Sequence, residues 1–136
     1  MITHLLDTNA CIRHLNGRAP NLSTRLESFD LKQLAVCSIV KGELFFGSLR
    51  SQNPTKSRQI QEDFLKDLVS LPFDDAVAEH YAQIRADLAN SGTPIGPNDL
   101  IIAATALAHN LVLVTHNTAE FSRVKSLRFE DWELLP

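Results

Sequence analysis

Three carboxylic acids, each placed close to a hydrophobic segment, are the side chains best suited to chemistry. Asp7 directly follows the apolar run at 2–6, Glu43 comes soon after the apolar run at 34–37, and Asp99 opens the most hydrophobic helical segment of the chain. If the apolar runs are parallel strands, their carboxyl ends lie at one edge of a sheet and bring these acids together. Carboxylates crowded in a cleft repel one another and need a cation that prefers oxygen ligands, such as Mg²⁺ or Mn²⁺. Such a site, with positions left for water and phosphate, is suited to phosphodiester hydrolysis.

Each of these acids also has an ordinary structural explanation. Asp7 is suited to capping a helix N-terminus, and Asp99 in a first helical turn favours the positive end of the helix dipole. An ionised Glu43 on an apolar face is costly unless it is paired, so a buried salt bridge is the alternative there. Asn117 and Glu120, which follow a third apolar run, have the spacing of a capping box. The joint placement of these residues behind several strands favours a metal site over the separate explanations.

The elements that must position these residues alternate between strand and helix patterns. Short all-apolar runs at 34–37 and 111–114 are typical of parallel strands covered on both faces, and the run at 2–6 begins the chain in the same way. A short strand at 69–73 and an edge strand within 127–134 complete the predicted α/β sheet. Between them we expect helices at 10–17, around 22–29, at 39–50, after 54, from a cap at Asp74 or Asp75 until the stop at 90–92, and from 99 onwards.

Helical spacing also predicts which side chains face the core. We expect Ser38 to cap the helix at 39–50, and Ile39, Glu43 and Phe46 to share one face of it, with the carboxylate among core residues. The helix after 54 is expected to turn four apolar side chains inward. They are Ile60, Phe64, Leu65 and Leu68.

Composition and charge limit the class of protein. A chain of 136 residues, 44% of them hydrophobic, is enough for one core, so 1–136 is expected to be a single domain. The absence of a leader pattern and of a long apolar stretch predicts a soluble, cytoplasmic protein without membrane contact. Cys11 and Cys37 lie in apolar patterns without ligand spacing and are expected as buried free thiols. A net charge of -3 is not typical of a nucleic-acid-binding protein, which usually carries a basic patch. Acids that hold divalent cations, however, no longer repel phosphate.

Four segments together resemble the motif blocks of PIN-domain ribonucleases. They are Leu5-Leu6-Asp7-Thr8-Asn9, Ser38-Ile39-Val40-Lys41-Gly42-Glu43-Leu44, Pro94-Ile95-Gly96-Pro97-Asn98-Asp99 and Val114-Thr115-His116-Asn117-Thr118-Ala119-Glu120-Phe121. Within that family the chain is most similar to the VapC toxins of bacterial type II toxin-antitoxin pairs, and the resemblance covers essentially the whole chain. It implies a PIN fold, with a central parallel β-sheet flanked by helices on both faces, and Mg²⁺-dependent endonucleolytic cleavage of RNA.

The resemblance assigns roles to particular residues. Asp7, Glu43 and Asp99 match the acidic triad of the family and are expected to hold Mg²⁺ or Mn²⁺, with Glu43 either binding the ion or orienting the attacking water. Asn117 stands where many PIN domains have an aspartate and is expected in the catalytic set, with Glu120 placed to help complete the metal site. The auxiliary residues expected to support the carboxylates are Thr8, Asn9, Thr115 and Glu120.

The same resemblance implies several partners. The substrate is expected to be a structured tRNA or rRNA, with initiator tRNA as one candidate, and its cleavage would inhibit translation. A small VapB-like antitoxin is expected to cover the acidic groove, and a second copy of the chain to form a homodimer. Operator DNA is expected to be bound only through the antitoxin.

Two other functions remain open at this point. A phosphatase with Asp7 as nucleophile would need a second aspartate two positions later, where the chain has Asn9. A PIN-like module that binds RNA or protein with little or no cleavage is favoured by Asn117, whereas the intact set of Asp7, Glu43 and Asp99 argues against it.

Overall fold

Five short strands form one all-parallel sheet at the centre of the molecule. The computed structural model describes residues 1–135. The strands are β1 (His4–Leu6), β2 (Leu34–Cys37), β3 (Val69–Leu71), β4 (Val112–Val114) and β5 (Phe129–Glu130). Their order across the sheet is β3-β2-β1-β4-β5, so the predicted central parallel sheet is confirmed.

Helices connect the strands and cover both faces of the sheet. They are α1 (Thr8–Leu15), α2 (Pro20–Glu27), α3 (Ser38–Leu49), α4 (Pro54–Leu65), α5 (Asp75–Asn90), α6 (Pro97–Ala108) and α7 (Thr118–Phe121), with a 3₁₀ turn at Leu31–Gln33. Consecutive strand residues point to opposite faces of a sheet. Leu5 and Leu6 are consecutive in β1 and both are fully buried, which shows that neither face of the central strand meets solvent.

The strand order reverses next to β1. The chain builds outward from β1 through β2 to β3, and then crosses to the other side of β1 to add β4 and β5. In open α/β sheets, ligands bind outside the carboxyl ends of the strands at such a reversal. Leu6 is in register with Val114, so the residues that follow them, Asp7 and Thr115, leave the sheet side by side.

Two helices begin earlier than the sequence pattern predicts. α1 begins at Thr8, because Asp7 caps it by accepting the backbone N–H of Ala10 at 2.8 Å. α6 begins at Pro97, whose fixed φ suits the first position of a helix. Asp99 is therefore in the first turn of α6, as expected, but two residues inside the helix rather than at its start.

Two predictions about α3 and α4 are wrong. Ser38 does not cap α3, because β2 continues into the helix without a linker and Cys37 occupies the cap position with no side-chain capping bond. Ile60 does not face the core and is 45% exposed. The other three predictions are confirmed, because Leu65 and Leu68 are buried and Phe64 packs against the core, and Gln61 is buried where Ile60 was expected.

The C-terminal tail is fastened to the segment after α2 by an aromatic contact. Trp132 is 2% exposed and stacks on Phe29 with 4.9 Å between the ring centroids. Its indole N–H donates to the Glu130 carboxylate at 2.8 Å.

Cys11 and Cys37 are buried and free, as predicted. Within residues 1–135, no helix combines the length and the apolar character needed to cross a membrane.

Candidate active site

Asp7 lies directly outside the carboxyl end of the central strand. It is 4% exposed, and its side chain accepts the Ala10 N–H and a hydrogen bond from Thr115, its neighbour across the sheet. Burial raises the pKa of Asp7, and the nearby carboxylates of Glu133 and Glu43 raise it further, whereas the two hydrogen bonds oppose the shift. A buried carboxylate among other acids is stabilised in its charged form by a nearby cation. The capping role of Asp7 and a role in metal binding are therefore compatible.

Glu43 projects from α3 toward the same place. One of its carboxylate oxygens accepts the Thr8 hydroxyl at 2.6 Å. Among the ion pairs within residues 1–135 none involves Glu43, so the salt-bridge explanation is wrong. The predicted core face of α3 is also wrong, since Phe46 is 61% exposed and Ile39 is only partly buried. Ile39, Glu43 and Phe46 instead form one wall of an open cleft.

Asp99 enters from the first turn of α6 and is coupled to Glu120. The pKa of Asp99 is raised to about 6. Burial is the largest cause, and the negative charges of Glu120, Asp7 and Glu43 add to the shift. The pKa of Glu120 is lowered, first by the backbone N–H of Gly96 and then by its hydrogen bond from Asn117. Of these two carboxyl groups, Asp99 is therefore the one that takes up a proton first as the pH falls.

Asn117 and Glu120 do not form the expected capping box. The Asn117 side chain makes no capping bond to α7. It donates instead to one Glu120 oxygen at 2.7 Å, while the other accepts the Gly96 N–H at 2.7 Å. The backbone N–H of Asn117 donates to the Thr115 hydroxyl at 3.0 Å. These bonds tie the turn after β4 to the loop that leads into α6 and to Asp99.

These side chains meet in one cleft of about 650 Å³. Six of the residues predicted for the site line it, namely Asp7, Thr8, Asn9, Glu43, Asp99 and Asn117. Thr115 and Glu120 lie behind this surface and hydrogen-bond to residues that line it. The structure therefore places every predicted site residue either in the cleft wall or in direct contact with it.

Sequence reasoning missed other parts of the site. Ile12, Gly42 and Asn98 also line the cleft. Ile12 lies three residues after Asn9 on α1 and could have been found from helical spacing, whereas Gly42 and Asn98 are each directly adjacent to a predicted acid, and adjacent residues of a helix do not share a face. Glu133, whose charge acts on Asp7, carries no such signal because it is far away in the chain.

The sequence is similar to known proteins along almost its whole length. A family model described as PIN domain matches residues 4–127. The tRNA(fMet)-specific endonuclease VapC of Shigella flexneri is 40% identical over 134 residues, which span 97% of this chain and 99% of that protein. The chain belongs to the PIN-domain VapC ribonucleases. This confirms the family that the four sequence blocks indicated, and with it membership of a family of nucleases.

Solved VapBC structures contain the same fold. The structure of DNA-bound VapBC from Salmonella typhimurium matches with a TM-score of 0.92 and 37% identity, covering 97% of this chain and 99% of that one. VapBC2 from Rickettsia felis, bound to a DNA fragment from its promoter, matches with a TM-score of 0.88 and 34% identity over the same shares of the two chains. The predicted PIN fold is therefore confirmed for this VapC chain.

PIN-domain nucleases generally use a divalent metal ion, and the donor atoms of this VapC cleft suit one. Asp7, Glu43 and Asp99 offer carboxylate oxygens, the ligands that hard cations such as Mg²⁺ prefer. Within residues 1–135, no three acidic, His or Cys side chains are arranged to enclose an ion, and Glu43 is turned toward Thr8. The pKa values of Asp7 and Asp99 are raised first by burial and then by neighbouring carboxylates, and a divalent cation in the cleft would favour the charged form of both acids.

Proposed function

We propose that this VapC protein is a site-specific endoribonuclease toxin that cuts a structured RNA, and that its substrate is initiator tRNA. The observation that carries the proposal is the single cleft lined by Asp7, Glu43 and Asp99, which come from three separate elements. The substrate is supported by relatives from Shigella flexneri and Salmonella typhimurium that are named tRNA(fMet)-specific endonucleases and are 40% and 37% identical. Cutting initiator tRNA would inhibit translation at its first step.

In this proposal Asp7, Glu43 and Asp99 hold Mg²⁺, with Mn²⁺ as an ion of similar preference for oxygen ligands. When bound, the ion supplies positive charge that activates water and stabilises the phosphoryl oxygens during hydrolysis. Asp99 is mostly ionised at neutral pH, because its pKa is raised only to about 6. Asp99 therefore offers a charged oxygen donor at neutral pH, and this capacity falls as Asp99 is protonated in acid.

The remaining polar side chains orient these acids and the water. The Thr8 hydroxyl occupies one oxygen of Glu43, which leaves the second oxygen either to hold the ion directly or to orient the attacking water and accept its proton. That water attacks phosphorus in line with the P–O bond that breaks. Thr115 fixes Asp7, and Asn117 together with Glu120 fixes the loop before Asp99. Loss of any of these supports is expected to weaken metal binding about 10–100-fold.

We also propose a VapB-like antitoxin as the protein partner. The solved structures with the same fold from Salmonella typhimurium and Rickettsia felis are VapBC structures bound to DNA. The described side chains that line the cleft include no Lys, Arg or His, so the cleft suits a basic side chain of a partner. In this proposal the protein acts in the cytoplasm as a homodimer, and operator DNA is bound only through the antitoxin.

Cleavage of total cellular RNA by the purified, antitoxin-free protein tests the activity. Reactions with Mg²⁺ and with chelator are compared for the wild type, for Asp7→Ala and for Asp67→Ala, which removes an exposed acid from the turn after α4. We expect a few discrete new 5′ ends, among them sites in initiator tRNA, that need both Mg²⁺ and Asp7 and survive Asp67→Ala. Discrete ends in another RNA would change the substrate alone. No cleavage by the folded, metal-supplied protein would favour an RNA-binding module instead.

A matching experiment tests the partner. A VapB-like antitoxin that forms a complex with this protein is added at equal concentration to the cleavage reaction, and operator DNA binding is measured with each protein alone and with both. We expect the antitoxin to suppress cleavage and to be required for DNA binding. An antitoxin that forms a complex yet leaves cleavage unchanged would contradict the proposal that it covers the acidic groove.

A further inference from the structure

The proposed substrate of the cleft is a polyanion, and its phosphates need cations nearby. Among the described side chains that line the cleft there is no Lys, Arg or His, so RNA phosphates beside the cut bond must be bound at its rim. Arg13 follows Asn9 by four residues on α1, and residues four apart lie on the same side of a helix. Asn9 and Ile12 both line the cleft. Arg13 is thus the cation that α1 carries next to the cleft wall.

The C-terminal tail holds the Arg13 side chain. Glu133 accepts the Nε–H of Arg13 at 2.8 Å, and the Glu133 side chain is 13% exposed against 39% for Arg13. Asp131 in turn fixes Glu133 by accepting its backbone N–H at 3.0 Å, and contacts Nδ1 of His116 at 2.8 Å. A long, flexible side chain is held in this way by a carboxylate that is itself fixed, which reduces the entropy lost when the side chain binds a ligand.

Most of the donor groups of this guanidinium remain available. Nη2 makes a long bond of 3.4 Å to the Arg18 carbonyl, and Nη1 has no hydrogen-bond partner among residues 1–135. A guanidinium is a rigid fork whose N–H groups match the geometry of phosphate oxygens. Held by Glu133 through Nε, the Arg13 fork keeps Nη1 and the second N–H of Nη2 for an anion.

The position of Glu133 needs an explanation beyond fastening the tail. Its charge is close enough to act on Asp7, so it adds negative charge beside a cleft that must receive RNA. The tail is already anchored by the buried Trp132 and by β5. A carboxylate that orients a phosphate-binding arginine accounts for both the location of Glu133 and its contact with Arg13.

We propose that Arg13 binds an RNA phosphate adjacent to the one that is cut, and that Glu133 is a positioning residue that directs the Arg13 guanidinium toward it. This inference rests on the proposed ribonuclease function of the cleft. It assigns the tail a part in substrate binding without a part in the chemical step.

The first test separates substrate binding from chemistry. Cleavage of a labelled initiator tRNA transcript, or of the RNA that mapping identifies, is measured for the wild type, for Arg13→Gln and for Arg18→Gln. Arg18 is a matched control, because it carries the same charge, is exposed, and makes no ion pair within the described residues. We expect Arg13→Gln to raise KM about tenfold, the loss of one charge-assisted hydrogen bond, with kcat changed less than about threefold.

The salt dependence provides a readout that a merely structural role would not move. Each phosphate contact contributes about 0.7–0.9 to the slope of log(kcat/KM) against log salt concentration. We expect Arg13→Gln to reduce the slope by about this amount and Arg18→Gln to leave it unchanged. Equal slopes for the two variants, or a loss confined to kcat in Arg13→Gln, would overturn the inference.

The role of Glu133 is tested by whether KM rises or falls when its carboxylate is removed. Removing an acid near a polyanion site strengthens RNA binding if only charge matters, and Asp67→Ala, which removes an exposed acid without an ion pair among the described residues, serves as the control for the loss of one negative charge. We expect Glu133→Ala to raise KM several-fold, Glu133→Gln to restore part of the loss, and Glu133→Ala to add nothing in the Arg13→Gln background. Thermal melts of each variant confirm folding. A lower KM for Glu133→Ala, or additive effects in the double variant, would refute positioning.

The same measurements keep the two proposals apart. A folded wild type that cuts no RNA with Mg²⁺ would end the ribonuclease proposal and this inference with it. A wild type that cuts RNA while Arg13→Gln and Arg18→Gln behave alike would overturn this inference alone.

Discussion

Replacing Asp99 with asparagine is expected to stabilise the fold while it removes activity. The acid is half-buried beside Glu120, Asp7 and Glu43, and its pKa is raised to about 6. The pKa of Asp99 is about 4 in the unfolded state and about 6 in the folded state. Between roughly pH 4 and pH 6 the folded protein therefore binds more protons at this group than the unfolded protein does. The folded state therefore loses stability as the pH rises through this window, and the loss is complete above it.

The size of the gain follows from that shift. About two pKa units correspond to roughly 3 kcal/mol. Because the side chain is only half-buried, solvent screens part of the repulsion. We therefore expect a gain of about 1–1.5 kcal/mol at pH 7.5 in the free energy of unfolding, or about 3–5 °C in Tm. The gain shrinks toward zero near pH 4, where Asp99 of the wild type is protonated, because asparagine has nearly the same shape and no charge.

Urea unfolding from pH 4 to pH 8, with a chelator present to remove divalent ions, measures this difference. Asp67→Asn serves as the control for removing an exposed acid, and we expect it to change stability little at any pH. RNA cleavage by Asp99→Asn is measured alongside and is expected to be lost. The reasoning is refuted if Asp99→Asn is less stable than the wild type at pH 7.5, or if its gain does not depend on pH.

Three further predictions test other parts of the structure. Asp7→Asn is expected to reduce RNA cleavage at low Mg²⁺ at least 100-fold, roughly the loss of a metal ligand, and full activity at low Mg²⁺ would exclude Asp7 from the metal site. Thr8→Val, which removes the hydroxyl bound to Glu43, is expected to raise the Mg²⁺ concentration for half-maximal cleavage about tenfold without changing Tm by more than a few degrees. Trp132→Ala is expected to lower the free energy of unfolding by about 3–5 kcal/mol in urea titrations, because the ring is buried and stacked on Phe29; a loss under about 1 kcal/mol would mean that the tail does not belong to the core.

Much of the fold could be predicted from local sequence. β2 and β4 are all-apolar runs of three or four residues, and a strand covered on both faces leaves that pattern wherever it lies in the sheet. Asp7 follows a strand and begins a helix, so its capping role and its place at the sheet edge were both visible in adjacent residues. Asp99, two residues after Pro97 on α6, was visible for the same reason.

The errors occurred where an apolar pattern did not reveal what it faces. Ile39 and Phe46 share the face of α3 that carries Glu43, and their spacing predicted a buried face. In the structure that face borders the open cleft. Hydrophobic spacing marks a face that can be buried, but the neighbouring elements decide whether anything covers it.

What the sequence by itself determined is the set of strands and helices and the acids that follow them, because those depend on residues close together in the chain. Only the tertiary structure decided which distant groups meet. The strand order placed β4 beside β1 and so put Thr115 next to Asp7. Folding of the C-terminal tail back to α1 brought Glu133 to Arg13. Such contacts depend on how whole elements pack, which no short pattern in the chain encodes.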